Sequence, residues 1–325
     1  MHLAADIGGT KTLIALGDHS GVRLQRRYDN DAHAGPAALI ACFLQEAAAA
    51  GLAAQAAASC LALAAPVAPG ATRVRLTNRA WTVDAALLAQ ALPIGPVTLL
   101  NDFAASAAGI VTLSAGEFLT LQEGVPDPGA PRLALGPGTG LGVAACLPYS
   151  MEAPRVLPSE GGHVGFAPQD GQQQELLAFL RARQRQTTQP GHVSVERVVS
   201  GTGLRDCYDY CVGARPGEIG SLTPAEIGAR ALAASDAHCM RALDLFLAVF
   251  GSFAGDMALC FLARGGVYLL GGMVPKLLPR VISGPFLAAF NDKSEHAALA
   301  AAMPVVAVLA EDLALRGALA SATRA

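Results

Sequence analysis

The sequence predicts an α/β protein of two lobes, and three observations carry that reading. At 325 residues the chain is too long for one ordinary compact core. Through its N-terminal part, short apolar runs alternate with glycine turns and Ala-rich helical stretches. After the Pro- and Gly-rich stretch EGVPDPGAP, residues 123–131, the pattern of strand, glycine loop and strand begins again in RLALGPGTGLGVAACL.

In chain order, HLAADIGG and TKTLIALGD predict two strands joined by a Gly-rich turn. A helix is expected over about residues 36–51, and the apolar run CLALAAPV, ended by Pro66, reads as the next strand. GPVTLLNDFAASAAGI predicts a strand over 97–100 followed by an Ala-rich helix. Asn101 and Asp102 then fall at the strand's C-terminal edge, where open α/β sheets gather ligands. A helix cap suits the same pair, with Asp102 satisfying free N–H groups of the helix. The short similarity of DIGGTKTLIAL to GPGTGLGVAAC suggests a second lobe built like the first. Residues 172–262 read as mainly helical, with RALDLFLAVFGSFAGDMALCFLA the strongest candidate for a buried helix. GGVYLLGG is expected to be the final strand, and EDLALRGALASA a terminal helix whose Leu313, Leu315 and Leu319 suit packing on either lobe.

Composition excludes several classes. Hydrophobic residues make up 52% of the chain, charged residues 15%, and the mean hydropathy is +0.40. The uncharged stretch 47–72 nevertheless fails as a membrane span, being largely Ala and interrupted by Gly51, Gln55, Pro66 and Pro69. MHLAADIGGTK has no basic leader ahead of an apolar core, so a cytoplasmic protein with no membrane partner is expected. A net charge of −3, with no basic run longer than Arg26 and Arg27, disfavours nucleic acid. Seven scattered cysteines suit reduced thiols. Cys207 and Cys211, four apart, read as buried thiols, since no His or second Cys pair stands at ligand spacing.

Glycine loops at strand turns let backbone N–H groups approach phosphate oxygens, and a Thr hydroxyl adds a donor. DIGGTKT and GPGTGLG both have that form, and neither is a Walker A or GxGxxG sequence. In SEGGHVGF, Glu160 and His163 flank two glycines, a pattern that suits a functional cluster or a polar surface turn equally. In HVSVERVVSGTG, Glu196 interrupts a Val-rich stretch; the plain alternative is a helix face with Glu196 in solvent.

Together these segments resemble the bacterial glucokinase family of the sugar kinase, actin-like ATPase superfamily. The resemblance runs in order through DIGGTKT, LTNRAW, LLNDF, GPGTGLGVA, PSEGGHVGFAP, HVSVERVVSGTGL and GGVYLLGGMVP. It implies a two-lobed, ribonuclease H-like fold with the active site in the interlobe cleft, transferring the γ-phosphoryl group of ATP to the 6-hydroxyl of glucose. Asp102 would match the catalytic base. Asn78, Asn101, Asp102, Glu160, His163 and Glu196 would match sugar-binding positions. Asp6 would orient Mg²⁺ through water, and Gly8, Gly9, Thr10 and Lys11 would form the first phosphate turn. Gly138, Thr139 and Gly140 would form the second, with Gly271 and Gly272 near the adenosine. The same resemblance implies a smaller domain over 1–111 plus 311–325, a larger one over 112–310, and a homodimer.

The chemistry suits these residue types, because phosphoryl transfer needs positioned donors on the phosphates and one carboxylate on the attacking hydroxyl. A neutral sugar needs groups with paired donors and acceptors, which Asn101, Glu160, Glu196 and His163 offer. Water is a smaller nucleophile than glucose, so closure of the cleft is required. Pro137 departs from the small residue usual before the second turn and removes one N–H there. The related repressor and sugar kinase family often carries a Cys-rich zinc motif after its acid-Gly-His segment; here VGFAPQDGQQQ follows, so no structural zinc is expected. A sugar-responsive regulator is the competing class; with the first strand expected from Leu3, no helix-turn-helix is expected ahead of it. A kinase of N-acetylglucosamine, mannose or fructose is the third reading, since space at the sugar's 2-position is not written in a motif.

Overall fold

The computed structural model describes residues 1–147, 155–186 and 191–324, so 187–190 of the expected helical span lie outside the described residues. Its contacts group into two compact units, Met1–Ser114 with Ala310–Ala325, and Ala115–Leu309.

In the first unit, β1 (His2–Ile7), β2 (Lys11–Asp18) and β3 (Gly21–Asp29) form an antiparallel meander, and β4 (Ser59–Leu63) runs parallel to β1. A separate hairpin of β5 (Arg73–Arg75) and β6 (Thr82–Asp84) flanks LTNRAW. Parallel β7 (Val97–Asn101) completes the main sheet, in the order β3-β2-β1-β4-β7. Alternation along β1 sorts its side chains. Leu3, Ala5 and Ile7 pack with Leu39, Ile40 and Phe43 of the helix Pro36–Ala49. Ala4 instead joins Ala15, Cys60 and Ala62 on the other face, against Ala105, Leu315 and Ala318. Small residues there admit two helices, Asp102–Gly109 and Leu313–Ala322, at close range. Gly317 has no Cβ where the Ala105 carbonyl sits, and Gly109 makes the same allowance for Leu313. The terminal helix therefore packs on this unit's sheet. Asp6, two residues beyond Ala4, shares the face that carries the helix Asp102–Gly109.

The second unit repeats the frame. After β8 (Phe118–Gln122) come the antiparallel strands β9 (Arg132–Pro137), β10 (Leu141–Leu147) and β11 (Arg155–Ser159). β12 (Val267–Leu269) runs parallel to β9, β13 (Val305–Val308) parallel to β12, and β8 closes the edge antiparallel, giving β11-β10-β9-β12-β13-β8. GGVYLLGG is thus not the final strand: β13 follows it, and all four residues of β13 are buried, so no alternation marks them as a strand. β8 precedes the stretch 123–131, which lies inside this unit rather than ahead of it.

The helix Ala237–Phe261 is long and apolar enough to cross a bilayer, but 67% of its most apolar window is buried within the protein. Phe246 and Phe250 pack with Phe286 and Phe290, and Gly251 and Gly255 give way to the backbone of the helix Phe286–Asn291. It is the core helix of this unit. Cys207 is buried in the same core and Cys211 is half-buried, burial pushing the Cys211 thiol up to about 11.

Candidate active site

In-register pairing of Asp6 with Ala62, and of Ala62 with Leu100, aligns the carboxyl ends of β1, β4 and β7. Asn101 keeps extended backbone and caps the helix Asp102–Gly109, its Oδ1 accepting from the N–H groups of Phe103 at 2.9 Å and Ala104 at 3.1 Å. Its Nδ2 donates to the Ala65 carbonyl at 3.1 Å and to Asp102 Oδ1 at 3.0 Å. Asn101, not Asp102, is therefore the cap, because the chain leaves the strand conformation only after residue 101. Both donors and both lone pairs of its amide are engaged by these groups.

Asp102 Oδ1 also accepts the Phe103 N–H at 2.8 Å, while its Oδ2 has no partner among the described residues. Burial raises the Asp102 carboxyl above the usual carboxylate range, against the opposing hydrogen bonds of the Phe103 backbone, its own backbone and the Asn101 side chain. Burial and the Asp102 charge together push Asp6 up to about 7. Asp6 is half-buried and faces a second carboxylate, and its carboxyl makes no hydrogen bond among the described residues. This donor set fits a hydrated Mg²⁺, whose charge would offset the repulsion.

The first glycine turn follows β1. Gly8 N–H donates to the Lys11 carbonyl at 3.0 Å, and the N–H groups of Gly9 and Thr10 have no partner among the described residues. Thr10 and Lys11 are exposed. Asn78 packs on this turn: a Cβ at Gly9 would stand 3.4 Å from the Asn78 Cβ. Motif reading passes over Asn30 and Arg79, which reach the turn from behind; the one signal was that Arg79 adjoins Asn78 in LTNRAW.

Leu141 organises the second cluster. Pro137 and Leu141 are the last pair of β9 and β10, which leaves Gly138, Thr139 and Gly140 as the turn. The Leu141 N–H donates to Glu196 Oε2 at 2.8 Å, and that carboxylate occupies the space a Cβ on Gly140 would need. Glu196 Oε1 has no partner among the described residues. Gly162 meets the Leu141 carbonyl with no room for a Cβ. A bridge between Gly165 and Ser194, with the Val195 N–H donating to Val164 at 2.9 Å, ties the Glu160 and His163 segment to that of Glu196. Glu160 and His163 are exposed above buried Gly161 and Gly162, with Oε2 and Nε2 3.9 Å apart. Gly271, at φ 88°, passes the Pro137 carbonyl so closely that a Cβ would stand 2.6 Å from it. Gly272 opens the helix Met273–Ser283, with open space where its Cβ would be.

The expected site residues thus fall into two clusters. Asp6, Gly8, Gly9, Thr10, Lys11, Asn78, Asn101 and Asp102 belong to the first unit, and Gly138, Thr139, Gly140, Glu160, His163, Glu196, Gly271 and Gly272 to the second.

The chain is similar to known glucokinases over nearly its whole length. A glucokinase from Nostoc sp. is 35% identical, the match covering 99% of this chain and 98% of that protein. The crystal structure of a glucokinase from an Antarctic psychrotroph superposes with a TM-score of 0.85 at 27% identity, covering 99% of this chain and 98% of that one. At 16% identity and a TM-score of 0.64, a ROK family glucokinase from Streptomyces griseus, solved with glucose and AMPPNP, shares the fold over 100% of this chain and 99% of its own. The glucokinase family model matches residues 3–325. The chain belongs to the glucokinase family.

Proposed function

We propose that Asp102 is the general base with which this glucokinase-family enzyme moves the γ-phosphoryl group of ATP to the 6-hydroxyl of glucose. The observation that carries this reading is the asymmetry of its carboxylate: Oδ1 is anchored twice, by Asn101 and by the Phe103 N–H, and Oδ2 has no partner among the described residues. An oxygen fixed in place but unpartnered, on an acid whose proton affinity burial has raised, suits removal of the hydroxyl proton as the new O–P bond forms. The γ-phosphorus–oxygen bond breaks in the same transfer, ADP leaves, and the proton rests on Asp102 until solvent takes it.

The other residues take positioning roles. The N–H groups of Gly9, Thr10, Thr139 and Gly140, which have no partner among the described residues, suit phosphate oxygens. Glu196, anchored through Oε2, offers Oε1 to a sugar hydroxyl, and exposed Glu160 and His163 offer two more polar groups on the segment tied to it. Asn101 acts through Asp102, and Gly271 and Gly272 leave room for the adenosine. Asp6 would hold Mg²⁺ through water, and the ion supplies charge neutralisation on the phosphates when bound. We further propose that the two units are the enzyme's two domains, that it is a homodimer as the family resemblance implies, and that it works in the cytoplasm, where its seven scattered cysteines stay reduced.

The test is ADP release on adding glucose, ATP and Mg²⁺. Glucose-dependent turnover is expected, with Asp102→Asn lowering kcat by about a thousandfold. Undiminished turnover in that variant would remove Asp102 from its role. Comparing kcat/KM for glucose, mannose, fructose and N-acetylglucosamine ranks the acceptors.

A further inference from the structure

We infer that Arg79 and Asn30 are positioning residues for the nucleotide: they hold the carbonyl groups of the first glycine turn inward so that its N–H groups face the phosphates. The inference rests on reading Gly8 to Lys11 as a phosphate turn.

Four consecutive carbonyls of that turn are tied down. The Gly8 carbonyl accepts from Asn30 Nδ2 at 2.9 Å and the Gly9 carbonyl from Arg79 Nη1 at 3.2 Å. The Thr10 carbonyl accepts from the Asn30 N–H at 2.8 Å, and the Lys11 carbonyl from the Gly8 N–H at 3.0 Å. Peptide N–H and C=O groups point opposite ways, so fixing the carbonyls on one side commits the remaining N–H groups to the other. Those of Gly9 and Thr10 are left without partners among the described residues. A turn free to rotate its peptides would present partial negative charge to an anion in part of its conformations. Tying the carbonyls removes those conformations before the nucleotide arrives.

The two braces are themselves fixed. Asn30 is fully buried, and its Oδ1 accepts from Thr12 Oγ1 at 2.7 Å. The Arg79 guanidinium lies 4.3 Å from the centre of the Trp81 ring, donates through Nη2 to the Asn30 carbonyl at 2.8 Å and through Nη1 also to Asp31 Oδ1 at 2.8 Å. One planar fork thus joins the turn, the segment after β3 and the LTNRAW hairpin, a geometry that a lysine ammonium does not reproduce.

Arg79→Ala in the full chain is expected to weaken MgATP about tenfold, in KM and in the dissociation constant measured by calorimetry without glucose, while the KM for glucose stays within about twofold. Unchanged affinity for MgATP, or an equal rise for both substrates, would overturn the inference. Should Arg79→Ala fail to fold, Arg79→Lys keeps the charge and loses the fork: weaker MgATP binding supports the inference and unchanged binding overturns it. Thr10→Pro, which removes one of the two unpartnered N–H groups of the turn, separates the two readings. If it leaves MgATP affinity unchanged, the turn is not a phosphate turn and the inference goes with it; if it weakens MgATP where Arg79→Ala does not, the inference alone fails. A chain that binds MgATP without phosphorylating glucose would refute the kinase reading, and the calorimetric comparison would still decide the role of Arg79.

Discussion

Asp6 and Gly136 occupy the same place in the two units, each two residues before the first glycine of its turn, on the strand that pairs antiparallel on one side and parallel on the other. In the first unit that position carries a carboxylate, and in the second the Leu270 backbone fills the space where a side chain would begin. The turns differ accordingly. Four residues separate Ile7 from Thr12, and three separate Pro137 from Leu141. The first turn is backed by donors, Asn30 and Arg79, whereas the second is backed by the carboxylate of Glu196 on the Leu141 N–H. One strand-turn-strand frame therefore carries a carboxylate on its own first strand in one copy, and receives one from a separate segment at the end of its turn in the other.

Gly136→Ala should break the comparison most severely. Its Cβ would collide with backbone atoms of Leu270, which cannot swing aside as a side chain can, so a loss on the order of 3 kcal/mol is expected in the denaturation midpoint. Gly138→Ala, with nothing near its Cβ, should leave the midpoint unchanged. Equal effects from the two would mean that the close approach to Leu270 is not what keeps Gly136 bare.

Asp6→Asn tests the other side of the pairing and should separate activity from stability. Turnover is expected to fall by about a hundredfold. Because the folded protein holds Asp6 near 7, above its ordinary 3.8, folding binds a proton between those values. The favourable contribution is complete below 3.8 and is lost as pH rises through 7. In EDTA the variant should therefore match the parent at pH 4 and melt at a higher temperature at pH 8. A variant that melts lower at pH 8 would show that Asp6 is stabilised by partners rather than strained by Asp102.

The acid at the end of β1 and the polar pair at the end of β7 were legible because each breaks an apolar strand just before a turn or helix. The glycine turns were legible for the same reason, and so was the similarity of the two units, though a match of a few small residues said nothing of the shared strand order. β13 escaped notice because a wholly buried strand of four residues has no alternation, and β8 because it precedes the break that reads as a boundary. Periodicity gives the terminal helix an apolar face but no partner; the Ala-lined side of the first sheet, with Gly109 and Gly317, decides it. The partners of Asn101 and Glu196 were unreadable, since an amide or carboxylate already engaged by backbone looks in sequence like one aimed at a ligand.

Gly140→Ala probes the second turn with a milder effect. Its Cβ would displace the end of the Glu196 side chain, which is flexible, so the thermal midpoint should hardly move. The carboxylate would leave the Leu141 N–H and lose its fixed aim, raising the KM for glucose about tenfold with less effect on MgATP. Gly9→Ala places its Cβ in ordinary contact with Asn78 and should spare the KM for glucose.

Asn101→Ala has a small expected effect on activity and the sharpest meaning. Losing the cap costs about 1 kcal/mol. A side chain that only positions Asp102 leaves glucose affinity alone when removed and lowers kcat, because Oδ1 keeps one anchor, the Phe103 N–H, instead of two. A side chain that grips the sugar raises KM for glucose instead. The full engagement of its amide by Ala65, Asp102, Phe103 and Ala104 favours the fall in kcat, so a rise in KM alone would mean that Asn101 exchanges internal partners for the sugar when glucose binds.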